Sequence, residues 1–213
     1  MTKIIESLHS EDFSIVDKTL KALGFEQGIS GGFERCHVLM PRVSGSSRYY
    51  VVGLSWNPIN GYILLMDPSG EILARKRVGY ITSIGLRQLK ASGDDAIVID
   101  SVVGTGTGTQ EARFYILNID KQLSEVWEGL SYKYEYPLAL APESNYKISA
   151  CIRFVARDDD KSYDLIHTLW RTTYSYREDS QTLSVIGTTE TTNTYVLRNN
   201  KFVPISEPSK GER

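Results

Sequence analysis

The sequence predicts a mainly β domain made of consecutive antiparallel hairpins, with one α-helix near its beginning. Short apolar runs rich in β-branched and aromatic residues recur along the chain, bounded by Gly, Asn, Asp and Pro, which is typical of strands and turns. Thirteen tyrosines among 213 residues add to this pattern, since tyrosine favours strands. We expect either a small or incomplete propeller-like array, or a β-sandwich or curved sheet.

The predicted helix covers residues of about 11–23. Ser10 is a suitable N-cap and Gly24 a suitable C-terminal stop. An apolar stripe at helical spacing would pack this helix on the domain, and it consists of Phe13, Val16, Leu20 and Leu23. Residues 1–205 are expected to form one domain that includes this segment at 10–24, and 206–213 a disordered polar tail.

Three stretches share one order: a run beginning with Tyr, a reversal, and a short return strand. The reversals lie at 67–70, at Asp120 and at Asn199-Asn200, between runs that begin at Tyr62, Tyr115 and Tyr195. Such similarity is typical of repeated β units. Any hairpin can begin this way, however, and we expect the turn types to differ. Asn199-Asn200 predicts a tight two-residue turn, because Asn tolerates positive φ.

The remaining elements are also strands by pattern. Residues 49–66 carry no charge, but the turn signal at 57–61 divides them into two strands rather than a membrane span. Alternation places Tyr132, Tyr134 and Tyr136 on one strand face, and it does the same for a second set, Trp170, Thr172, Tyr174 and Tyr176. These aromatic faces either pack inside the domain or contact a ligand.

The most distinctive local run is Gly104, Thr105, Gly106, Thr107 and Gly108. A nucleotide loop would need a following helix, whereas a strand pattern follows here, so we predict a wide hairpin loop. Function on β scaffolds is often carried by loops, which makes this run a candidate ligand or partner loop.

Composition excludes some classes of function. Lys plus Arg number 24 against 26 Asp plus Glu, without a basic cluster, so we expect no nucleic-acid partner. Cys36 and Cys151 are expected to be buried free thiols, although one bridge between them is compatible with the sequence. The start of the chain has no export signal, which favours the cytoplasm; an exported domain with its signal removed is the alternative.

A dense carboxylate run lies at 158–165. It resembles the calcium loop of FG-GAP (integrin-α-type) β-propeller repeats, D-x-[DN]-x-D-G-x-x-D-L, with Asp158, Asp160 and Asp164 at three of the acidic positions. Ala156 replaces the first ligand and Lys161 the glycine. The turn at 93–95 takes the place of this calcium loop in the central one of the three repeated stretches, which contains the Tyr115 hairpin. This resemblance covers about 48–205 and implies a propeller-like binding platform with Ca²⁺ as a possible ligand; a solvated turn is the other interpretation.

The sequence shows no catalytic signature and no cofactor motif. It contains neither G-x-S-x-G nor H-E-x-x-H, and its three histidines are scattered. We therefore expect a non-catalytic binding module that contacts a protein or a glycan through loops and tyrosine-rich strand faces. The alternative is a carbohydrate-active hydrolase with paired carboxylates in a groove.

Overall fold

The computed structural model describes residues 35–45, 48–56, 58–90, 93–106, 108–120, 122–135, 145–157, 162–177 and 182–205. This part of the chain forms twelve strands in two antiparallel sheets and contains no helix. The predicted mainly β fold of consecutive hairpins is confirmed. The predicted helix at 10–24 and the tail at 206–213 lie outside the described residues.

The small sheet has four strands in sequence order: β1 (Arg35–Leu39), β2 (Tyr50–Trp56), β3 (Asn60–Met66) and β4 (Ile72–Arg77). Its central strands β2 and β3 are apolar on both faces, because each face contributes to a different hydrophobic cluster.

The large sheet has eight strands, again in sequence order. They are β5 (Tyr80–Gln88), β6 (Asp95–Gly106), β7 (Thr109–Asn118), β8 (Glu125–Glu135), β9 (Tyr146–Ala156), β10 (Tyr163–Arg177), β11 (Thr182–Arg198) and β12 (Lys201–Pro204). Each strand pairs antiparallel with the next along the chain. Among the described residues, no helix has the length and apolar character needed to cross a membrane.

The three predicted Tyr-led hairpins are β3–β4, β7–β8 and β11–β12. In the first, the N–H of Gly70 donates to the carbonyl of Asp67, and in the second the N–H of Leu123 donates to the carbonyl of Asp120. Gly70 and Leu123 both have positive φ, so these two turns share a geometry, and the expected difference in turn type holds only for the third hairpin. The third is the tight turn predicted at Asn199-Asn200, with φ of 50° and 59°.

The two sheets pack face to face. Val51, Ile63 and Leu65 of the small sheet meet the β5, β6 and β7 side chains of the large one in a single buried cluster. Ile81, Ile97, Ile99 and Leu117 are its fully buried members from the large sheet. Burial of one such side chain stabilises the fold by roughly 1.5–3 kcal/mol. This cluster is therefore the main interaction that holds the two sheets together.

The large sheet also folds onto itself. β8 and β9 pair only between 132–135 and 146–149, and elsewhere each pairs with its other neighbour alone. A second core fills the space between the two halves, where Trp127 of β8 contacts the His167 ring of β10 edge-on at 5.1 Å. The His167 Nε2–H donates to the Leu130 carbonyl at 2.7 Å. This arrangement matches the expected curved sheet, and the propeller-like array stays a prediction.

The chain crosses between the sheets at residues 78–79, where the backbones touch. A Cβ on Gly61 would lie 1.9 Å from the Gly79 carbonyl oxygen, and a Cβ on Gly79 would lie 2.3 Å from that of Val102. Two buried hydroxyls complete the joint: Ser101 Oγ donates to the Val78 carbonyl, and Ser55 Oγ accepts from the Ile81 N–H at 2.8 Å. The two backbones therefore approach so closely that only glycine fits at positions 61 and 79.

We predict that Gly61→Ala destabilises the fold by about 3 kcal/mol, because backbone atoms must move to make room for the methyl group. The matched control is Gly85→Ala on β5, where an added Cβ meets nothing within 4 Å. Urea unfolding of both variants measures the difference. Equal midpoints for the two variants would contradict the close approach of the sheets.

Candidate functional site

Consecutive antiparallel hairpins place alternate connections at the same end of a sheet. The β6–β7, β8–β9 and β10–β11 connections therefore share one end of the large sheet, which we call the arm end. The turns after β5 and β7 lie at the other end, as does Asp164 near the start of β10. The glycine–threonine run and Asp164 consequently lie towards opposite ends of the large sheet.

The glycine–threonine run does not form the wide loop that we expected. β6 continues to Gly106, which pairs with Thr109 at the start of β7, so the connection is a tight two-residue turn. Gly108 takes a positive φ of 79° in this turn, and Thr107 lies outside the described residues. Gly104 and Thr105 pair with Glu111 and Gln110, so the run is mostly strand.

A shallow groove of about 320 Å³ opens beside this turn at the arm end. The strands β6, β7 and β8 supply its walls, with hydroxyl, amide, ammonium and carboxylate groups side by side. Its lining residues are Gly104, Thr105, Thr109, Gln110, Glu111, Lys133 and Glu135. Such a surface offers both donors and acceptors to a polar ligand.

A charged network supports one wall of the groove. The Glu135 Oε1 lies 3.0 Å from Lys133 Nζ and accepts a hydrogen bond of 3.0 Å from the Tyr146 hydroxyl. The Arg171 guanidinium lies 4.4 Å above the Tyr146 ring. The hydrogen bond from Lys133, and then that from Tyr146 and the charge of Arg171, lower the pKa of Glu135. Its carboxylate is therefore ionised and held in place.

The second carboxylate of the groove, Glu111, is held by Arg113, whose Nη2 lies 2.7 Å from Glu111 Oε1. The same guanidinium also contacts Glu128. The hydrogen bonds that Arg113 donates to Glu128 and Glu111 raise its pKa. Glu111 is consequently held in place by a guanidinium that it shares with Glu128.

Tyr132, Tyr134, Trp170 and Thr172 of the predicted faces lie in cross-strand rows. Tyr132 pairs with Ser149, which pairs with Trp170, and Trp170 donates through Nε1 to Glu190 at 2.9 Å. The next row runs through Tyr134, Lys147, Thr172 and Thr188. These tyrosines and Trp170 are half-buried, and Tyr136 lies outside the described residues.

Beyond Thr173, β10 loses its pairing with β9 apart from a hydrogen bond from the Tyr174 N–H to the Asn145 carbonyl. Residues 174–177 and 182–186 therefore form a two-stranded arm. Tyr174 pairs with Val185 and Tyr176 with Leu183. Val185 and Ile186 are 62% and 67% exposed, which leaves the arm with an apolar surface.

The candidate calcium loop lies mostly outside the described residues, since these include neither Asp158 nor Asp160. Asp164 is the second residue of β10, and its Oδ1 lies 3.6 Å from Arg157 Nε, while the next residue, Leu165, is fully buried. Within the described ranges, no three His, Cys, Asp or Glu side chains form a group that could hold a metal ion. A calcium site therefore stays a prediction.

The turn at 93–95, which the sequence pattern aligns with the candidate calcium loop, has a structural role. Asp94 accepts hydrogen bonds from the N–H and the hydroxyl of Ser44, and Asp95 Oδ2 accepts one of 2.7 Å from the Arg42 N–H. Both contacts attach the β1–β2 loop to the β5–β6 loop. These carboxylates hold the two sheets together at the end opposite the arm.

Comparison of the sequence with protein-family models, with curated proteins and with solved structures finds no match. The resemblance to FG-GAP repeats thus rests on the motifs in the sequence alone.

Sequence reasoning found the 104–108 run and the tyrosine faces, but it missed the cluster around Glu135. Alternation places Lys133 and Glu135 on one face of β8. Nothing in the sequence, however, indicates that Tyr146 and Arg171, which lie on two later strands, complete the same network.

The two cysteines differ in environment, and both are free. Cys36 packs against the small-sheet cluster, where burial raises its pKa to about 11. His37, its neighbour on β1, pairs with Gly53, and adjacent strand residues point to opposite faces. Cys151 is exposed, so the expectation that both thiols are buried was wrong for this residue.

We predict that a thiol reagent at mildly alkaline pH modifies Cys151 in the folded protein and leaves Cys36 unmodified, because the thiolate is the reactive form. Mass spectrometry of tryptic peptides measures the extent at each site. A Cys151→Ser variant serves as the control and should react only after unfolding. Rapid labelling of Cys36 in that folded variant would contradict the packing of its thiol against the small-sheet cluster.

We also predict that Asp120→Asn lowers stability by about 1 kcal/mol at neutral pH, because the carboxylate accepts hydrogen bonds within the β7–β8 turn. Partial burial raises the pKa of Asp120, but hydrogen bonds from Ser124, Gln122 and Leu123 outweigh it, and the net pKa lies below the ordinary 3.8. A depressed folded pKa stabilises the fold above the unfolded value and ceases to do so as the pH falls through the folded value.

The difference in unfolding free energy between wild type and Asp120→Asn should therefore shrink as the pH falls below about 4. Urea unfolding across that range measures it. A difference that stays constant into strong acid would show that the charge of Asp120 does not stabilise the turn.

Proposed function

We propose that the protein is a non-catalytic binding module whose arm end contacts a protein or glycan partner. The observation that carries this proposal is the groove beside the 106–109 turn, which places Thr109, Lys133 and Glu135 together on one face of the sheet. Lys133 and the Tyr146 hydroxyl hold the Glu135 carboxylate in place, so little of its conformational entropy is lost when a ligand binds. The mixed donors and acceptors suit a polar ligand rather than an apolar one.

The aromatic rows lie on the other face of the same strands, because Tyr132 and Tyr134 alternate with Lys133 and Glu135 along β8. Tyr134 and Lys147 are neighbours across β8 and β9, and the Lys147 Nζ lies 5.7 Å above the Tyr132 ring. Half-buried tyrosines present a flat apolar face with a hydroxyl at its rim, which suits stacking on a sugar ring or contact with a protein side chain. The rows would therefore supply a second contact surface, on the face of β8 opposite to that of the groove side chains Lys133 and Glu135.

The hydrolase alternative would use the two carboxylates of the groove, Glu111 and Glu135. A glycosidase needs one carboxyl group with a raised pKa to act as general acid. The pKa of Glu135 is shifted the opposite way, by Lys133, and Glu111 is bound to Arg113. Both features favour binding over catalysis at this site.

We also propose that the chain contains three copies of one four-stranded unit, β1–β4, β5–β8 and β9–β12. The three Tyr-led hairpins are the third and fourth strands of these units, and the first two share their turn geometry. Four-stranded blades are the units of β-propellers, so this arrangement supports the resemblance to FG-GAP repeats. Calcium at Asp158, Asp160 and Asp164 belongs to the same proposal.

If that loop binds calcium, the melting temperature should rise with added calcium and return to its starting value with chelator, because a ligand that binds only the folded state stabilises it. Asp160→Asn should abolish the rise. A melting temperature that does not respond to calcium would remove the metal from the proposal.

The binding function is tested with Thr109→Arg, which places a bulky cation in the groove at an exposed position opposite Glu135. We expect this variant to lose its ligand by about tenfold or more in affinity. Wild type and variant are compared by affinity capture from source cells and on a glycan array. Glu71→Arg in the β3–β4 turn of the small sheet is the control and should keep the ligand. Identical ligand profiles for all three proteins would contradict the assignment of the groove.

A further inference from the structure

The outer edge of β11 is open over most of its length. β12 pairs only with residues 195–198 of β11, and one further hydrogen bond joins the Ile205 N–H to the Thr194 carbonyl. Within the described residues, the side of 182–193 that faces away from β10 has no neighbouring strand. Every residue of this segment is exposed. From Leu183 to Asn193, the outward backbone N–H and C=O groups are therefore available to another strand.

This edge also lacks the features that keep other sheet edges from pairing. β4 carries Arg75, Lys76 and Arg77, and β12 carries Lys201 and Pro204. Residues 182–193, TLSVIGTTETTN, contain no Lys, Arg or Pro, and seven of the twelve are β-branched. Three of the seven large apolar side chains exposed in the described part lie here: Leu183, Val185 and Ile186. Long, apolar and uncharged edges favour strand addition.

We propose that the strand added to this edge is β11 of a second copy of the chain, paired antiparallel across a two-fold axis. The segment is electrostatically compatible with itself, because Glu190 is its only charged residue. A pairing centred on Thr188 places Leu183 opposite Asn193, and Glu190 opposite Ile186. Only a register centred on Glu190 itself would bring the two carboxylates together. The interface is isologous, as closed dimers require.

The other occupant to consider is the chain's own C-terminal segment, which follows β12. Residues 206–213, SEPSKGER, contain a proline, a glycine and four charged residues. Proline lacks the N–H that a strand must donate, and glycine and charged residues are poor strand formers. Residues 182–193 contain no proline and only one charged residue, so a second β11 is better suited to pair with this edge than the C-terminal segment is.

An edge pairing of this length buries less surface than a standard stable interface, so we expect reversible association at micromolar concentrations. Sedimentation velocity of the full chain from low to high micromolar concentration should show a monomer–dimer equilibrium. Val185→Lys/Ile186→Lys should be monomeric throughout, with an unchanged melting temperature because both positions are exposed. Met40→Lys makes the same change at an exposed apolar position on the other sheet and should dimerise like the wild type.

A wild type that stays monomeric at every concentration would overturn the proposal, as would dimerisation of the double-lysine variant to the same extent as wild type. A chain ending at residue 205 separates the two occupants. If the wild type is monomeric and the shortened chain dimerises, the edge belongs to the tail and not to a second copy. If both dimerise equally, the pairing of β11 with itself stands.

Discussion

The contact between the two sheets at residues 78–79 constrains the rest of the structure. Gly61, Gly79 and the Val102 carbonyl meet at distances that leave no space for a Cβ atom. Ser55 and Ser101 satisfy the buried Ile81 N–H and Val78 carbonyl that this approach removes from water. The net contribution of such a hydrogen bond to stability is modest. Its removal would leave a buried polar group unsatisfied, which destabilises the fold by roughly 1–3 kcal/mol. This joint sets the position of β5, and β5 begins the large sheet.

From β5 onward the geometry follows from sequential pairing. Each strand takes its position from the preceding one, until β8 and β9 separate and the sheet folds back over Trp127. At the arm end, β8, β9 and β10 stay paired through residues 132–135, 146–149 and 170–173. The side chains that meet there are Lys133, Glu135, Tyr146 and Arg171. The candidate binding surface is thus a consequence of where the core ends, because polar and aromatic side chains occupy the strand segments that extend beyond it.

The sequence was sufficient for the parts of this fold that depend on local chemistry. Period-two alternation predicted that Tyr132 and Tyr134 share a strand face and that Trp170 and Thr172 share another. The positive-φ tolerance of Asn predicted the turn at Asn199-Asn200. It failed where long-range packing decides. The glycine–threonine run was expected to form a loop, but pairing of Gly104 with Glu111 extends β6 through it. The network around Glu135 joins three strands, and no spacing in the sequence encodes which strands lie side by side.

The claim on which the account most depends is that the second half of the large sheet covers the first. Aromatic NOEs test it directly: the Trp127 indole should show cross-peaks to the His167 ring, with the ring centroids 5.1 Å apart, and to the Tyr195 ring, with the centroids 5.6 Å apart. Those contacts join β8 to β10 and β11, which are not its hydrogen-bonded neighbours. Absence of both sets of cross-peaks, in a sample that retains those between paired strands, would show a flat sheet without the second core and would contradict the account.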